Sequence, residues 1–211
     1  MISIPLILTL YAGFTHAFET DHLLAVSNIV TNRNKTIKAL KDGLYWGLGH
    51  SSTILIIGVV VLLMKFNIEA SIFRFFEAVV GALLMALGIY RIIQWYKRKQ
   101  NPSQLHVHKD GTTHNSSHLP AFLIGLVHGL AGSGALLLIV IGKSISIESG
   151  LAYLVLFGIG SVSGMILAAG TFSLPFSRKI LASTNLQTLL IFVSSMLCIG
   201  YGSLVIVENL L

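Results

Sequence analysis

The chain has 211 residues, 54% of them hydrophobic and only 10% charged, and its mean hydropathy is +0.82. Soluble domains carry roughly 25% charged residues, so this composition excludes an ordinary soluble protein and predicts one embedded in a bilayer. The net charge of +6 is spread over the connections between apolar runs, which reads as membrane topology and not as a nucleic-acid surface.

A segment of about 20 apolar residues crosses a hydrocarbon core of roughly 30 Å. Windows of that length fall near residues 4–30, 40–64, 72–96, 119–141, 149–173 and 185–208. The expected fold class is therefore all-α integral membrane, with six transmembrane helices. The first run lacks a basic leader and a small-residue cleavage site, so it reads as a mature helix and not as a signal peptide. That run carries His16, Glu19, Asp21 and His22, ionisable groups that cost several kcal/mol at membrane depth unless they have a partner and a task. The second run holds His50 in Gly47-Leu48-Gly49-His50-Ser51-Ser52.

Between the third and fourth runs lies Leu105-His106-Val107-His108-Lys109-Asp110-Gly111-Thr112-Thr113-His114-Asn115-Ser116-Ser117-His118. His106, His108, His114 and His118 make this a short metal-binding tract, weighed against an inert polar linker. The fourth run carries His128 before Gly132, Ser133 and Gly134. The sixth holds Cys198, the one cysteine, which can form no internal disulfide and is expected to pack as a small hydrophobe.

Arg33, Lys35, Lys38 and Lys41 lie in the first connection, Arg91, Lys97, Arg98, Lys99 and Lys109 in or beside the third, and Arg178 and Lys179 in the fifth. Lys65, Arg74 and Lys143 flank the other side. The positive-inside rule puts the odd connections in the cytoplasm and both termini outside a multi-pass plasma-membrane protein.

Sliding the chain on itself by about 112 positions aligns Gly13-Phe14-Thr15-His16-Ala17 with Gly125-Leu126-Val127-His128-Gly129. It also aligns Gly47-Leu48-Gly49-His50-Ser51 with Gly158-Ile159-Gly160-Ser161-Val162, and Leu87-Gly88-Ile89-Tyr90 with Ile199-Gly200-Tyr201-Gly202. The chain is read as residues 1–98, a first three-helix repeat; 99–118, a His-rich cytoplasmic loop; and 119–211, a second three-helix repeat. Three helices per half make the repeat inverted. Secondary transporters are often built so, with the site near the midplane between the halves.

On a regular helix Asp21 is rotated about 140° from His16, and His22 about 120° the other way. Either the first helix is unwound here or one group, such as Asp21, acts as an outer partner that fixes an imidazole tautomer. Imidazole with carboxylate suits Ni²⁺, Co²⁺, Zn²⁺ or Cu²⁺ over Mg²⁺, Ca²⁺ or Cu⁺. The candidate metal ligands are His16, Asp21, His22, His50 and His128, with Glu19 as a further ligand or proton carrier. The competing reading makes these histidines interhelical hydrogen-bonding groups.

His-x4-Asp-His in one membrane helix, followed by Leu-Gly-His-Ser-Ser in the next, resembles the signature of the nickel/cobalt transporter family. The short six-span length and His-Gly-Leu-Ala-Gly-Ser-Gly-Ala-Leu at 128–136 resemble its UreH-type nickel permease branch. The resemblance implies nickel first and cobalt second as cargo, with the positions matching His16, Asp21 and His22 essential for transport and Gly49, His50 and Ser51 as a second signature. Longer members carry eight spans, so oligomeric and gating features need not transfer.

The expected protein is thus a permease and not an enzyme, taking up Ni²⁺ or Co²⁺ as substrate with no prosthetic group. No Gly-x4-Gly-Lys-Ser/Thr nucleotide loop is present. Its partners are the metal ion, the lipid bilayer and a cytoplasmic nickel-acceptor protein. Efflux of the same ions is the alternative direction, and a membrane metalloenzyme or haem protein is the alternative class.

Overall fold

The computed structural model describes residues 4–30, 36–64, 69–100, 117–131, 146–174 and 184–210. These residues form helices α1 (Ile4–His16), α2 (Thr20–Val30), α3 (Thr36–Met64), α4 (Ala70–Gln100), α5 (Leu119–Ala131), α6 (Ile147–Ser173) and α7 (Thr184–Leu210), with no strand among them. Segments Thr36–Met64, Ser71–Lys97, Ile147–Ser173 and Leu186–Leu210 are long and apolar enough to cross a membrane. Large apolar side chains such as Leu189, Met196, Leu197 and Leu204 stand exposed on α7, while several histidines are buried. That arrangement reverses a soluble protein's and suits a lipid surround, where outward apolar groups cost nothing.

The first apolar run, expected as one helix over 4–30, is two helices with a turn between them. Phe18 N donates to Thr15 O at 2.9 Å and Glu19 N to His16 O at 3.0 Å, tightening the end of α1. Leu23 N then donates to Glu19 O at 2.9 Å, opening α2. Asp21 in the first turn of α2 complements the positive end of the helix dipole. The turn contains neither Gly nor Pro, and the amides of Phe18 and Glu19 are satisfied by these local bonds, the kind of pairing that irregular backbone inside a membrane protein requires. Of the expected fourth run, 119–141, residues 132–141 lie outside the described residues.

Close backbone approach fixes the helix pairs. The helices α3 and α6 run antiparallel, Gly43 meeting Ala169, Gly47 meeting Val162 and Ser51 Oγ donating to Gly158 O at 3.2 Å. The α4–α7 pair is also antiparallel, with Gly81 against Gly202 and Gly88 against Ser195. The α1–α6 and α3–α5 pairs run parallel, Gly160 and Gly164 meeting Leu10 and Phe14 as Gly125 and Gly129 meet Trp46 and His50, and the two pairs are built alike. Gly13 abuts the Phe157 carbonyl and Gly160 the Leu10 carbonyl; correspondingly, Gly125 abuts the Trp46 carbonyl and Gly49 the Phe122 carbonyl. A Cβ at any of these four glycines would overlap a backbone carbonyl. Small residues at such crossings let membrane helices pack by van der Waals contact where no hydrophobic force separates lipid from protein.

Candidate metal centre

The break between α1 and α2 delivers His16 at the end of one helix and Asp21 and His22 at the start of the next. Parting the two helices removes the angular conflict of a regular helix, because each sets its own phase. His50 enters from the middle of α3 and His128 from the last described turn of α5. All four imidazoles are buried, at 2% exposure or less.

Their rings form one cluster. Ring centroids lie 4.5 Å apart for His16 and His22, 5.3 Å for His16 and His50, 5.1 Å for His22 and His50, and 5.0 Å for His22 and His128. One ligand atom from each of His16, His22 and His50 falls within 4.8 Å of the others, and the same holds for Asp21, His22 and His128. A metal–nitrogen bond of about 2.1 Å puts ligands on one ion at most about 4.2 Å apart, so modest inward movement would bring either triad onto one ion. His22 belongs to both. Thus His16, Asp21, His22, His50 and His128 are brought together.

The hydrogen bonding is incomplete in an informative way. His22 Nδ1 lies 3.0 Å from Asp21 Oδ1, which as an acceptor places the ring proton on Nδ1 and leaves Nε2 with a lone pair. That Nε2, His16 Nε2 and both ring nitrogens of His50 and His128 have no hydrogen-bond partner among the described residues. His128 Nε2 stands 3.5 Å from Asp21 Oδ2, and His16 Nδ1 stands 2.9 Å from Glu19 Oε1 at a poor angle for a hydrogen bond. Each buried polar atom left unpaired costs about 1–3 kcal/mol. A set of lone pairs converging in a buried pocket is what a late divalent transition metal takes. Glu19 touches His16 from outside the cluster, its side chain half exposed.

The Leu-Gly-His-Ser-Ser element works as a unit. Gly49 admits α5, His50 faces inward, Ser51 bonds to α6, and two residues on, Thr53 Oγ1 donates to Leu126 O at 3.0 Å. Two neighbours went unforeseen in the sequence. Trp46, one turn before His50 and fully buried, sets its ring 5.5 Å from His22 and 6.0 Å from His128; Phe157 lies 5.4 Å from His16. The i, i+4 spacing of Trp46 and His50 was the available signal for the first.

His106, His108 and His114 lie outside the described residues. His118 does not join the cluster: its Nδ1 is 2.6 Å from Oδ1 of Asp42, a carboxylate on α3 that nothing in the sequence marks as a site residue.

The chain is 35% identical over 196 residues to the urease accessory protein UreH of Bacillus sp. (strain TB-90), covering 90% of this chain and 86% of that one. It is 27% identical over 209 residues to the chloroplast protein FOR GROWTH AND FERTILITY 2 of Arabidopsis thaliana, spanning 55% of its length. Over 89 residues it is 32% identical to a high-affinity nickel transport protein of Cupriavidus necator, 24% of that protein's length. No family model and no solved structure matches. The match to UreH along nearly the whole of both chains, with the His-x4-Asp-His and Leu-Gly-His-Ser-Ser elements converging on one buried cluster, identifies the chain as a member of the nickel/cobalt transporter family, in its short UreH-type branch.

Proposed function

We propose that this protein is a plasma-membrane permease that carries Ni²⁺, and less readily Co²⁺, into the cell through the buried His/Asp cluster. The observation that carries the reading is the meeting of four buried imidazoles and Asp21 from α1, α2, α3 and α5, with most of their ring nitrogens unpartnered. His16, His22, His50 and His128 serve as metal ligands. Asp21 orients His22 and lowers the cost of a divalent charge in low dielectric. The family and the relatives' names favour nickel as cargo; ligand chemistry alone would equally admit cobalt, zinc or copper(II).

The path lies between two inverted three-helix halves, residues 1–98 and 119–211. Two contact patterns support this: α1 meets α6 as α5 meets α3, and in each pair the helices run parallel although the halves follow each other in the chain. In this reading α1 and α2 together make the first of six spans, both termini lie outside, and residues 99–118 face the cytoplasm, where an acceptor protein receives the ion. The end of α1 at the cluster adds the negative pole of a helix dipole, which favours a cation.

The protein acts on the ion's position and not on its chemistry, so it is a transporter without a prosthetic group. His22 packs against both His16 and His50, at 4.5 and 5.1 Å, which suits a bare ion better than a macrocycle between axial ligands. An inside-negative potential of 100 mV supplies about 2.3 kcal/mol per charge, hence about 4.6 for a divalent cation moving inward. That drives uptake without a coupled ion, whereas efflux needs one.

The test is ⁶³Ni²⁺ uptake into proteoliposomes under an imposed inside-negative potential, with Co²⁺ and Zn²⁺ as competitors. Uptake that follows the potential and disappears in His16→Ala is expected. Uptake only against the potential, with a counter-gradient of protons, would make the protein an exporter.

A further inference from the structure

His118 repeats, at a second place, the unit that prepares His22. Its Nδ1 is 2.6 Å from Asp42 Oδ1, as His22 Nδ1 is 3.0 Å from Asp21 Oδ1. Metal-binding imidazoles characteristically give their other N–H to a carboxylate, which fixes the tautomer and strengthens the free nitrogen as a donor. The His118 ring is held further by stacking on Tyr45, with centroids 5.3 Å apart and planes 13° apart. Asp42 is completely buried, yet the His118 side chain keeps 18% of its surface exposed. The ring is held on two sides, by the carboxylate and by Tyr45, and part of it faces outward; with Asp42 as acceptor the ring proton sits on Nδ1.

Its position relative to the cluster is set by α3. Asp42, Trp46 and His50 follow at four-residue steps and lie on one face, with Asp42 about 12 Å along the axis from His50. Trp46, between them, is fully buried and packs against His22 and His128. The indole thus lies, along α3, between the level of Asp42 and that of His50.

We propose that Asp42 and His118 form a second metal station, at which His118 Nε2 takes a partly hydrated divalent late-transition cation passing to or from the buried cluster. The inference rests on the reading of the cluster as the cargo site. One imidazole with water in the remaining positions binds more weakly than four, which suits a site that must release its ion. The contrasting account is a tether: His118 would merely hold the start of α5, whose Leu119 N donates to Ser117 Oγ at 3.2 Å, onto α3.

The test uses the purified full-length chain carrying His106→Asn, His108→Asn and His114→Asn, so that those imidazoles do not contribute, titrated with Co²⁺ by equilibrium dialysis and visible absorption. Two classes of ion are expected, a tight one lost in His22→Ala and a weaker one lost in His118→Gln. Glutamine retains an amide N–H to place against Asp42 but has no imidazole nitrogen, so a tether survives this change and a ligand does not. Asp42→Asn should weaken the second class by about 10–100-fold and leave the first. A second class that is missing from the reference chain, or that persists in His118→Gln, overturns the station and leaves the cluster standing. Loss of the tight class alone from the reference chain overturns the cluster reading instead.

Discussion

At Gly125 the helix α5 lies against the carbonyl of Trp46 on α3; at Gly13 the helix α1 lies against the carbonyl of Phe157 on α6 in the same manner. The chemistry beside these matching contacts differs. Next to the first stands His50, whereas the residue aligned with His50 on α6 is Ser161. Helices α1 to α3 bring His16, Asp21, His22 and His50 to the cluster; among the described residues of α5 to α7, His128 joins them. Backbone apposition must be solved separately at every helix crossing, so both crossings need glycine. Side chains that converge on one pocket, by contrast, can come mostly from one part of the chain.

The comparison breaks most visibly at the glycines. Gly13→Leu and Gly125→Leu each drive a side chain into a backbone carbonyl that no rotamer change can relieve. The cost should exceed the roughly 1–3 kcal/mol of ordinary overpacking, and both variants should fail to give monodisperse protein on detergent extraction. Tolerance of one and not the other would show that the two crossings are not equivalent.

The ligands should divide the other way. His22→Ala removes the group shared by both triads, and Ni²⁺ affinity measured by equilibrium dialysis should fall by more than the ~10–100-fold expected on losing an outer partner, while extraction and helix content stay unchanged. Asp21→Asn keeps the shape and removes the charge; its loss should fall within that ~10–100-fold range. A Ni²⁺ affinity unchanged in His22→Ala would remove the cluster from the ion's path altogether.

Much of this was legible in the sequence because the bilayer leaves few options. Apolar length marked the long helices, and histidines in such runs marked the cluster, since ionisable groups rarely sit there without a task. The break at residues 17–19 was visible only indirectly, as a conflict of angles among His16, Asp21 and His22. No Gly or Pro announces it; the turn is held by Phe18 and Glu19 amide bonds that local propensity does not foretell. Asp42 is not legible as a site residue because it stands beside Lys41 near the end of an apolar run, where a charge normally faces water. Only the packing of α3 against its neighbours, with His118 brought from 76 positions away, makes it a buried group.

Ser161 offers the smallest effect and the finest test of how unequal the two matching crossings are. Its hydroxyl is completely buried and has no hydrogen-bond partner among the described residues. It lies one turn beyond Phe157, the residue packed on His16. If the second half contributes only scaffold here, Ser161→Ala deletes an unsatisfied polar atom and should leave thermal stability unchanged or raise it by about 1 kcal/mol. Ni²⁺ affinity should then shift by less than the ~10-fold lower bound for losing an outer partner. If instead the hydroxyl helps coordinate or orient the ion, Ser161→Ala should cost Ni²⁺ affinity on the scale of Asp21→Asn, and Ser161→Cys, which supplies a softer ligand, should shift the preference among Ni²⁺, Co²⁺ and Zn²⁺. The second result would mean that the symmetry extends from the glycine contacts to the ion itself, with serine standing on α6 where α3 has histidine.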